Sequence, residues 1–192
     1  MTQYVTDSEQ PHLGGNIAAG DSWTYCPTVW NYLIDRFAVR TVLDLGSGLG
    51  YSANYFFQRG CAVVAVDGLR ENVKHSLYPA VLQDLTQGPV TAPVDLVHCH
   101  EVVEHLEEQY LDHLLRSLMN GRIIVMTNGL PGQAGHHHVN LQPCEYWRDH
   151  LSARGCQLLE DDTARIRRMA EQDGAWHMAR TGQVFFNPLN KI

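Results

Sequence analysis

Several features that mark particular classes of protein are scarce or absent in this chain of 192 residues. Basic side chains are few, with 14 Lys and Arg against 21 Asp and Glu, which gives a net charge of −7. Proteins that bind nucleic acid or anionic membranes usually present a basic face, so this balance disfavours both kinds of partner. No apolar run approaches the roughly 18 residues that a membrane-spanning helix needs.

Paired cysteines are also lacking. The five cysteines are an odd number, and no two of them form a C-x-x-C pair. This usage disfavours a disulfide framework and a zinc knuckle, and it predicts free thiols in a reducing cytoplasm. The first residues include Asp7, Glu9 and His12 where a signal peptide needs an apolar run, so no targeting signal is expected.

What the chain does have is an alternation of strand-like and helix-like segments. Apolar runs predict strands at 42–45, 61–66, 81–82, 94–98, 122–126, 156–159 and 183–186. Helical patterns predict a helix at the end of the segment 22–38 and further helices at 50–59, 69–76, 103–118, 143–154 and 161–172. The alternation predicts an α/β fold, a doubly wound parallel sheet covered on both faces. We expect residues 1–20 to be a flexible arm and residues 21–192 to form a single domain.

A glycine-rich loop follows the first of these strands. The segment from Val42 to Gly50 reads VLDLGSGLG, so a strand precedes the glycines and a helix follows them. Asp67 ends the next strand, 21 residues after Gly46. At that position a carboxylate can accept hydrogen bonds from the hydroxyl groups of a ribose. The combination predicts a nucleotide-binding site.

The loop departs from two common nucleotide-binding patterns. A dinucleotide fingerprint needs Gly or Ala at the sixth position of G-x-G-x-x-G, where this chain has Tyr51. No G-K-[ST] follows the glycines, which excludes a P-loop. A dinucleotide-dependent oxidoreductase is therefore disfavoured.

The pattern D-L-G-x-G-x-G at 44–50 closely resembles the first motif of class I S-adenosylmethionine-dependent methyltransferases. The resemblance continues at Asp67, at the segment QDLT (83–86) and at the segment EVVEHL (101–106), which is similar to the family's E-V-x-E-H. It implies a Rossmann-like sheet of seven strands in the order 3-2-1-4-5-7-6, with the last strand antiparallel. The residues that it implies for cofactor binding are Asp44, Gly46, Ser47, Gly48, Gly50, Asp67, Gly68, Asp84, Leu85 and His100.

Histidines cluster after two strands that should be neighbours in this sheet. His98 and His100 share a face at the end of one strand, and residues 136–138 are three consecutive histidines in the loop after the next. The loop also resembles G-H-x-H-V-N of a poorly characterised branch of the family. Because imidazole can accept a proton near neutral pH, the candidate catalytic residues are His100, Glu101, His136 and His138.

Two other interpretations of the histidines stay open. Each ring could simply stabilise its loop through a hydrogen bond. A metal site built from the two histidine groups and Glu101 is less favoured, since three consecutive histidines do not easily reach one ion and no H-E-x-x-H spacing exists. The sequence therefore predicts no metal ligands.

The function that these observations favour is methyl transfer from S-adenosylmethionine to a small molecule, through an oxygen or nitrogen nucleophile. The [DN]-P-P-[FY] motif of base-modifying enzymes is absent at 98–101, which also disfavours nucleic acid substrates. The alternative is a non-catalytic S-adenosylmethionine-binding or regulatory protein. The titratable groups expected at the cleft count against that alternative.

Overall fold

The computed structural model describes residues 4–190. The strands are β1 (Tyr4–Thr6), β2 (Gly14–Ile17), β3 (Thr41–Leu45), β4 (Ala62–Asp67), β5 (Ala80–Leu82), β6 (Val94–Cys99), β7 (Gly121–Met126), β8 (Gln157–Leu158) and β9 (Gln183–Phe186). The helices are α1 (Pro27–Phe37), α2 (Tyr51–Gln58), α3 (Arg70–His75), α4 (Leu111–Leu118), α5 (Cys144–Ser152), α6 (Glu160–Asp173) and α7 (Trp176–Thr181). None of the helices in this range is long and apolar enough to cross a membrane.

Seven strands form one sheet in the order β5-β4-β3-β6-β7-β9-β8. Counted from β3 as the first strand, this order is the predicted 3-2-1-4-5-7-6. Strands β3 to β7 pair in parallel, whereas β9 runs antiparallel to both of its neighbours, β7 and β8. The fold class is therefore confirmed.

The sheet is buried on both faces because its central strands are apolar at successive positions. Val42 and Leu43 are neighbours in β3, yet Val42 packs into one hydrophobic cluster and Leu43 into the other. One cluster takes in Trp30 and Leu33 of α1 together with residues of α6 and α7. The other is built against α4 and α5, with Trp147 completely buried. These two layers hold the carboxyl ends of the strands in place, where the cavity described below opens.

The prediction of a helix over 103–118 is wrong for the first half of that range. The structure has short 3₁₀ turns at Val103–His105 and Glu108–Tyr110, and α4 begins only at Leu111. The backbone is extended at Leu106, with φ −96° and ψ 126°, which interrupts the helix. Val103 and Leu106 are still buried, so the apolar spacing identified core residues but not the break between them.

The N-terminal residues also differ from the expected arm. Strands β1 and β2 form an antiparallel hairpin in which Tyr4 lies opposite Ile17. The side chain of Asn72 donates a hydrogen bond to that of Asn16, at 3.0 Å, which joins the hairpin to α3. Residues 4–20 therefore form structure that packs on the domain, because their polar groups find partners there. Residues 1–3 of the predicted arm lie outside the described residues.

Candidate functional site

A cavity of about 890 Å³ opens at the carboxyl ends of the central strands, where open α/β sheets bind their ligands. Volumes of this order are typical of small-molecule sites. Its walls come from the glycine loop, from the ends of β4 and β6, from residues 12–25 and from the histidine loop. Of the residues predicted from the sequence, those that line it are Asp44, Gly46, Ser47, Gly48, Asp67, Gly68, Asp84, Leu85, His100, Glu101, His136 and His138. Gly50 lies beside the lining, where the loop turns into α2.

The glycine loop is fixed to the end of β4 by its own backbone. The N–H groups of Gly46 and Ser47 both donate to the carbonyl of Val66, each at 2.9 Å. Gly46 has a φ of +73°, and a Cβ atom there would collide with the side chain of Val102. Glycine is therefore required at this turn for its backbone conformation and for the close approach.

Asp67 lies where the sequence predicts the ribose-binding acid. Its carboxylate accepts hydrogen bonds from the backbone N–H groups of Gly48 and Leu69, both at 2.8 Å, and from the side chain of Asn72 at 3.1 Å. Burial raises the pKa of Asp67, and these three hydrogen bonds oppose that effect. A carboxylate has about four acceptor positions, so one is left for a further donor in the cavity.

Asp84 and Leu85 reach the same cavity from the segment after β5. The carboxylate of Asp84 accepts hydrogen bonds from the N–H and the hydroxyl of Thr86, both at 2.8 Å. It also lies 3.0 Å from Nε2 of His12, which belongs to the N-terminal segment. The contact with His12 joins residues 72 positions apart, so no local sequence pattern could have identified it.

Asp44 is at the centre of a buried polar chain. Its carboxylate accepts hydrogen bonds from the Ser52 hydroxyl at 2.6 Å and from Nδ1 of His98 at 2.7 Å. The indole N–H of Trp30 donates to Nε2 of His98 at 3.1 Å. Because an indole can only donate, His98 carries its proton on Nδ1. Both carboxylate oxygens of Asp44 thus have partners inside the protein, and the chain ties β3 to β6, α1 and α2.

Glu101 is held in an unusual backbone conformation at the end of β6, with a φ of +54°. The hydroxyl of Thr127, at the end of β7, accepts the N–H of Glu101 and donates to its Oε1, both at 2.8 Å. Its Oε2 lies 2.9 Å from Nδ1 of His177. Burial opposes ionisation, but His177 outweighs it and lowers the pKa of Glu101 to about 2. The group is a carboxylate at neutral pH.

His177 lies between two acidic side chains. Its Nδ1 contacts Glu101, and its Nε2 is 3.7 Å from Oδ2 of Asp21. Burial alone would lower the pKa of His177, but the two carboxylates raise it to about 9. The ring is an imidazolium at neutral pH. The sequence alone assigns no role to His177, because this residue lies 76 residues after Glu101 and the short α7 that carries it is not evident from the sequence pattern.

His100 has the opposite electrostatics. Both ring nitrogens are buried and have no hydrogen-bond partner among residues 4–190. Burial, and then the nearby His98, lower the pKa of His100 to about 3, so its ring is neutral. Buried polar atoms in native proteins are nearly always paired. The unpaired ring of His100 on the cavity wall therefore suits a hydrogen bond to a bound molecule.

The histidine loop is attached to its surroundings at several points. Nε2 of His136 donates to the carbonyl of Pro11 at 2.8 Å, which joins this loop to the N-terminal segment. Nδ1 of His138 donates to the carbonyl of Gln133 at 3.2 Å. The rings of His138 and His105 pack edge to face, with their centroids 5.0 Å apart. The two histidine groups predicted from the sequence do border one cavity.

Glu104 belongs to the segment EVVEHL, where the sequence pattern assigned it no role of its own, but it is an unusual residue of this region. Its side chain is completely buried, and burial, with Glu101 nearby, raises its pKa well above the ordinary value. The ligand-type atoms of Glu104, His105 and His138 lie within 4.8 Å of one another. These three residues come from the turn after β6 and from the histidine loop.

A protein family described as "Methyltransferase domain" matches residues 23–175. Among solved structures, a SAM-dependent methyltransferase from Archaeoglobus fulgidus is 17% identical, with a TM-score of 0.56 over 87% of this chain and 94% of that one. The sugar N-methyltransferase KedS8 from Streptoalloteichus is 14% identical, with a TM-score of 0.58 over 73% and 82%.

Magnesium protoporphyrin IX methyltransferase from Synechocystis, solved with bound SAM, is 20% identical, with a TM-score of 0.54 over 68% of this chain and 67% of that one. The enzyme has also been solved with bound SAH. At these identities the likeness shows the fold. No match was found among curated protein sequences.

Proposed function

This chain belongs to the methyltransferase-domain family, and we propose that it transfers the methyl group of S-adenosylmethionine to an oxygen or nitrogen atom of a small molecule. The observation that carries the proposal is that one cavity joins two different surfaces. One surface is the glycine loop with Asp67, which suits a nucleoside. The other is formed by His100, Glu101 and His177, which suit a nucleophile that must lose a proton.

On the cofactor side, a ribose hydroxyl donates to the remaining acceptor position of Asp67. The backbone of Gly46, Ser47 and Gly48 passes close to the cofactor, which the absence of Cβ atoms at the two glycines permits. Asp84 accepts the exocyclic amine of adenine, and Leu85 covers the ring. Asp44, whose oxygens are used internally, acts as a positioning residue for the loop. The SAM and SAH complexes of the Synechocystis methyltransferase support this choice of cofactor.

On the acceptor side, a hydroxyl or amine of the small molecule donates a hydrogen bond to the neutral ring of His100. His100 is thereby assigned to the acceptor, whereas the resemblance also implied it for cofactor binding. As the methyl group moves, the bond from sulfur to carbon breaks and sulfur keeps the electron pair, while the acceptor atom forms the new bond to carbon. The acceptor atom becomes strongly acidic as it takes up the methyl group, so even a weak base such as His100 can receive its proton. The carboxylate of Glu101 stabilises the imidazolium that results.

The other side chains on this part of the cavity wall serve positioning and not proton transfer. His177 is already protonated at neutral pH, so it cannot accept the proton and instead fixes Glu101. His136 and His138 line the same cavity and contribute to the wall that orients the acceptor. Holding two reactants in line is the main source of rate in such a displacement, worth up to roughly 7–11 kcal/mol.

The test is a binding comparison followed by a substrate screen. Calorimetry should show binding of S-adenosylmethionine and S-adenosylhomocysteine in preference to NAD, and mass spectrometry should detect S-adenosylhomocysteine formation with hydroxylated or aminated small molecules. Replacing His100 with Ala should reduce turnover by about 10²-fold and leave cofactor affinity within a few-fold. His75→Ala, at an exposed position of α3, is the matched control.

The outcomes separate the competing functions. Binding without turnover for any acceptor would favour the non-catalytic S-adenosylmethionine-binding alternative. Preferential binding of NAD would contradict the proposal altogether. A cytoplasmic location and the lack of a nucleic acid partner are further parts of the proposal, supported by the free thiols of all five cysteines and by the net charge of −7.

A further inference from the structure

We propose that Glu104, His105 and His138 bind one divalent transition-metal ion, of the Zn²⁺ or Mn²⁺ type. The three side chains bring one carboxylate and two imidazoles together, with their ligand-type atoms within 4.8 Å of one another. This set differs from the one that the sequence suggested. Glu104 replaces Glu101, His105 replaces His98 and His100, and only one of the three consecutive histidines takes part. The inference does not depend on the identity of the acceptor.

Glu104 provides the first argument. Its side chain is completely buried, and neither carboxylate oxygen has a hydrogen-bond partner within the described range of 4–190. Removing a carboxylate from water without a partner is costly, so buried acidic groups are normally paired or bound to a metal. A cation between Glu104 and the two rings would supply the missing partner.

The two imidazoles provide the second argument. Nδ1 of His138 donates to the carbonyl of Gln133, which leaves Nε2 as the atom with a free lone pair. Metal-binding histidines commonly donate their other ring N–H in this way, to a carbonyl or a carboxylate. Nδ1 of His105 is buried and also lacks a partner in the described part of the chain. Both rings therefore have a nitrogen available for an ion.

The backbone holds the histidine loop against the turn that carries Glu104. The carbonyl of Glu104 accepts the N–H groups of Val139 and Asn140, at 3.0 and 3.1 Å. A Cβ atom at Gly135 would collide with the ring of His138, so glycine is needed there for the ring to reach its place. Two segments that are hydrogen-bonded to each other therefore hold the three side chains together, in contrast to independent side chains on a protein surface.

The donor set indicates the kind of ion. Imidazole is a common ligand of zinc and other first-row transition metals, whereas sites for Mg²⁺ and Ca²⁺ consist mainly of oxygen ligands. Three protein ligands leave at least one coordination position open. Because His105 and His138 line the cavity, an ion that they bind would be accessible from it.

The experiment measures the ion directly. The full-length protein is stripped with a chelator and then equilibrated with Zn²⁺, Mn²⁺ or Co²⁺, and bound metal is counted by mass spectrometry after gel filtration. One ion per chain is expected, with visible absorption bands for the Co²⁺ form. Glu104→Gln and His138→Ala should each raise the dissociation constant by about 100-fold or more, since loss of a ligand exceeds the roughly 10–100-fold effect of losing its outer partner.

Three controls keep the result interpretable. His75→Ala removes a surface histidine that pairs with Glu71, and it should still bind one ion. Gly135→Ala keeps all three ligands but displaces the ring of His138, so it should weaken binding. Circular dichroism and S-adenosylmethionine affinity, measured on the same samples, report folding and the cofactor site separately. Failure to bind any of the three ions, or equal binding by Glu104→Gln, would overturn the metal site and leave the proposed methyl transfer intact.

Discussion

Asp67 is the residue on which the proposed cofactor pose depends most directly. Replacing it with Ala should weaken S-adenosylmethionine binding by about 10–100-fold, because a hydrogen bond to a charged group contributes about 1.5–3 kcal/mol. Calorimetric titration measures the change. Asp112→Ala, which removes an exposed carboxylate of α4, is the control and should bind normally. Equal affinity of the Asp67→Ala protein would mean that the ribose lies elsewhere.

The residues that the sequence identified and those that it missed differ in one physical respect. The glycine loop and Asp67 belong to one strand–loop–helix–strand unit, so their spacing along the chain reflects their spacing in space. Glu104 and His177 acquire their environments from segments far away in sequence. His177 is charged because Asp21 and Glu101 meet at its ring, and no pattern around residue 177 encodes that meeting.

At the scale of elements, the β1–β2 hairpin forms part of the wall of the candidate cofactor site. His12 contacts Asp84, and Pro11 accepts a hydrogen bond from His136, so the segment spans from the proposed adenine side to the histidine loop. Both hydrophobic clusters are built from Cys26 onward and contain no hairpin residue. The hairpin therefore contributes to the site and little to the core.

Because the hairpin contributes to the site and little to the core, the effect of removing residues 1–20 can be predicted. The truncated protein should keep its cooperative unfolding and lose about tenfold or more in S-adenosylmethionine affinity, because Asp84 and Asn72 lose partners and the cavity loses a wall. Thermal unfolding followed by circular dichroism, with and without the cofactor, measures both effects. A truncated protein that binds as tightly as the full chain would show that the hairpin does not shape the site.

The elements themselves were predictable where an apolar run marks a buried strand, as in β4 and β6. The prediction of a continuous helix over 103–118 was wrong because Leu106 is extended and the chain makes two short turns before α4. Those turns place Glu104 beneath the histidine loop, and the carbonyl of Glu104 accepts hydrogen bonds from that loop. Hydrogen bonds between segments far apart in the chain can override a helical pattern, and the sequence alone does not show which segments will form them.

For the whole molecule, strand order brings the unusual charges together. Strand β6 lies between β3 and β7, so His98, Glu101 and Thr127 lie near one another at the carboxyl ends of the central strands. Helix α7 leads into β9, the antiparallel strand beside β7. Because β9 begins at the carboxyl end of β7, α7 brings His177 to the same end of the sheet. The topology was predictable through the resemblance to class I methyltransferases, but the ionisation that it produces required the three-dimensional structure.

The charge on His177 makes a prediction about the stability of the whole protein. Its folded-state pKa of about 9 lies above the ordinary value of 6.5, so the folded protein holds this proton more tightly than the unfolded chain. The stabilisation is fully present below about pH 6.5. It is lost as the pH rises through 9. The groups that face the ring are Asp21, Glu101, His100 and Trp23.

Comparison of the wild type with His177→Asn isolates this contribution. Urea unfolding is measured at pH values between 6 and 9.5. The free energy of unfolding of the wild type should exceed that of His177→Asn by the largest amount near pH 6, and this excess should fall by about 2 kcal/mol by pH 9.5. Each unit of pKa shift is worth about 1.4 kcal/mol, and partial solvent screening reduces the total because the His177 side chain is not completely buried. His75→Asn should follow the wild-type profile. A stability difference that stays constant over this range would show that Asp21 and Glu101 do not hold a proton on His177.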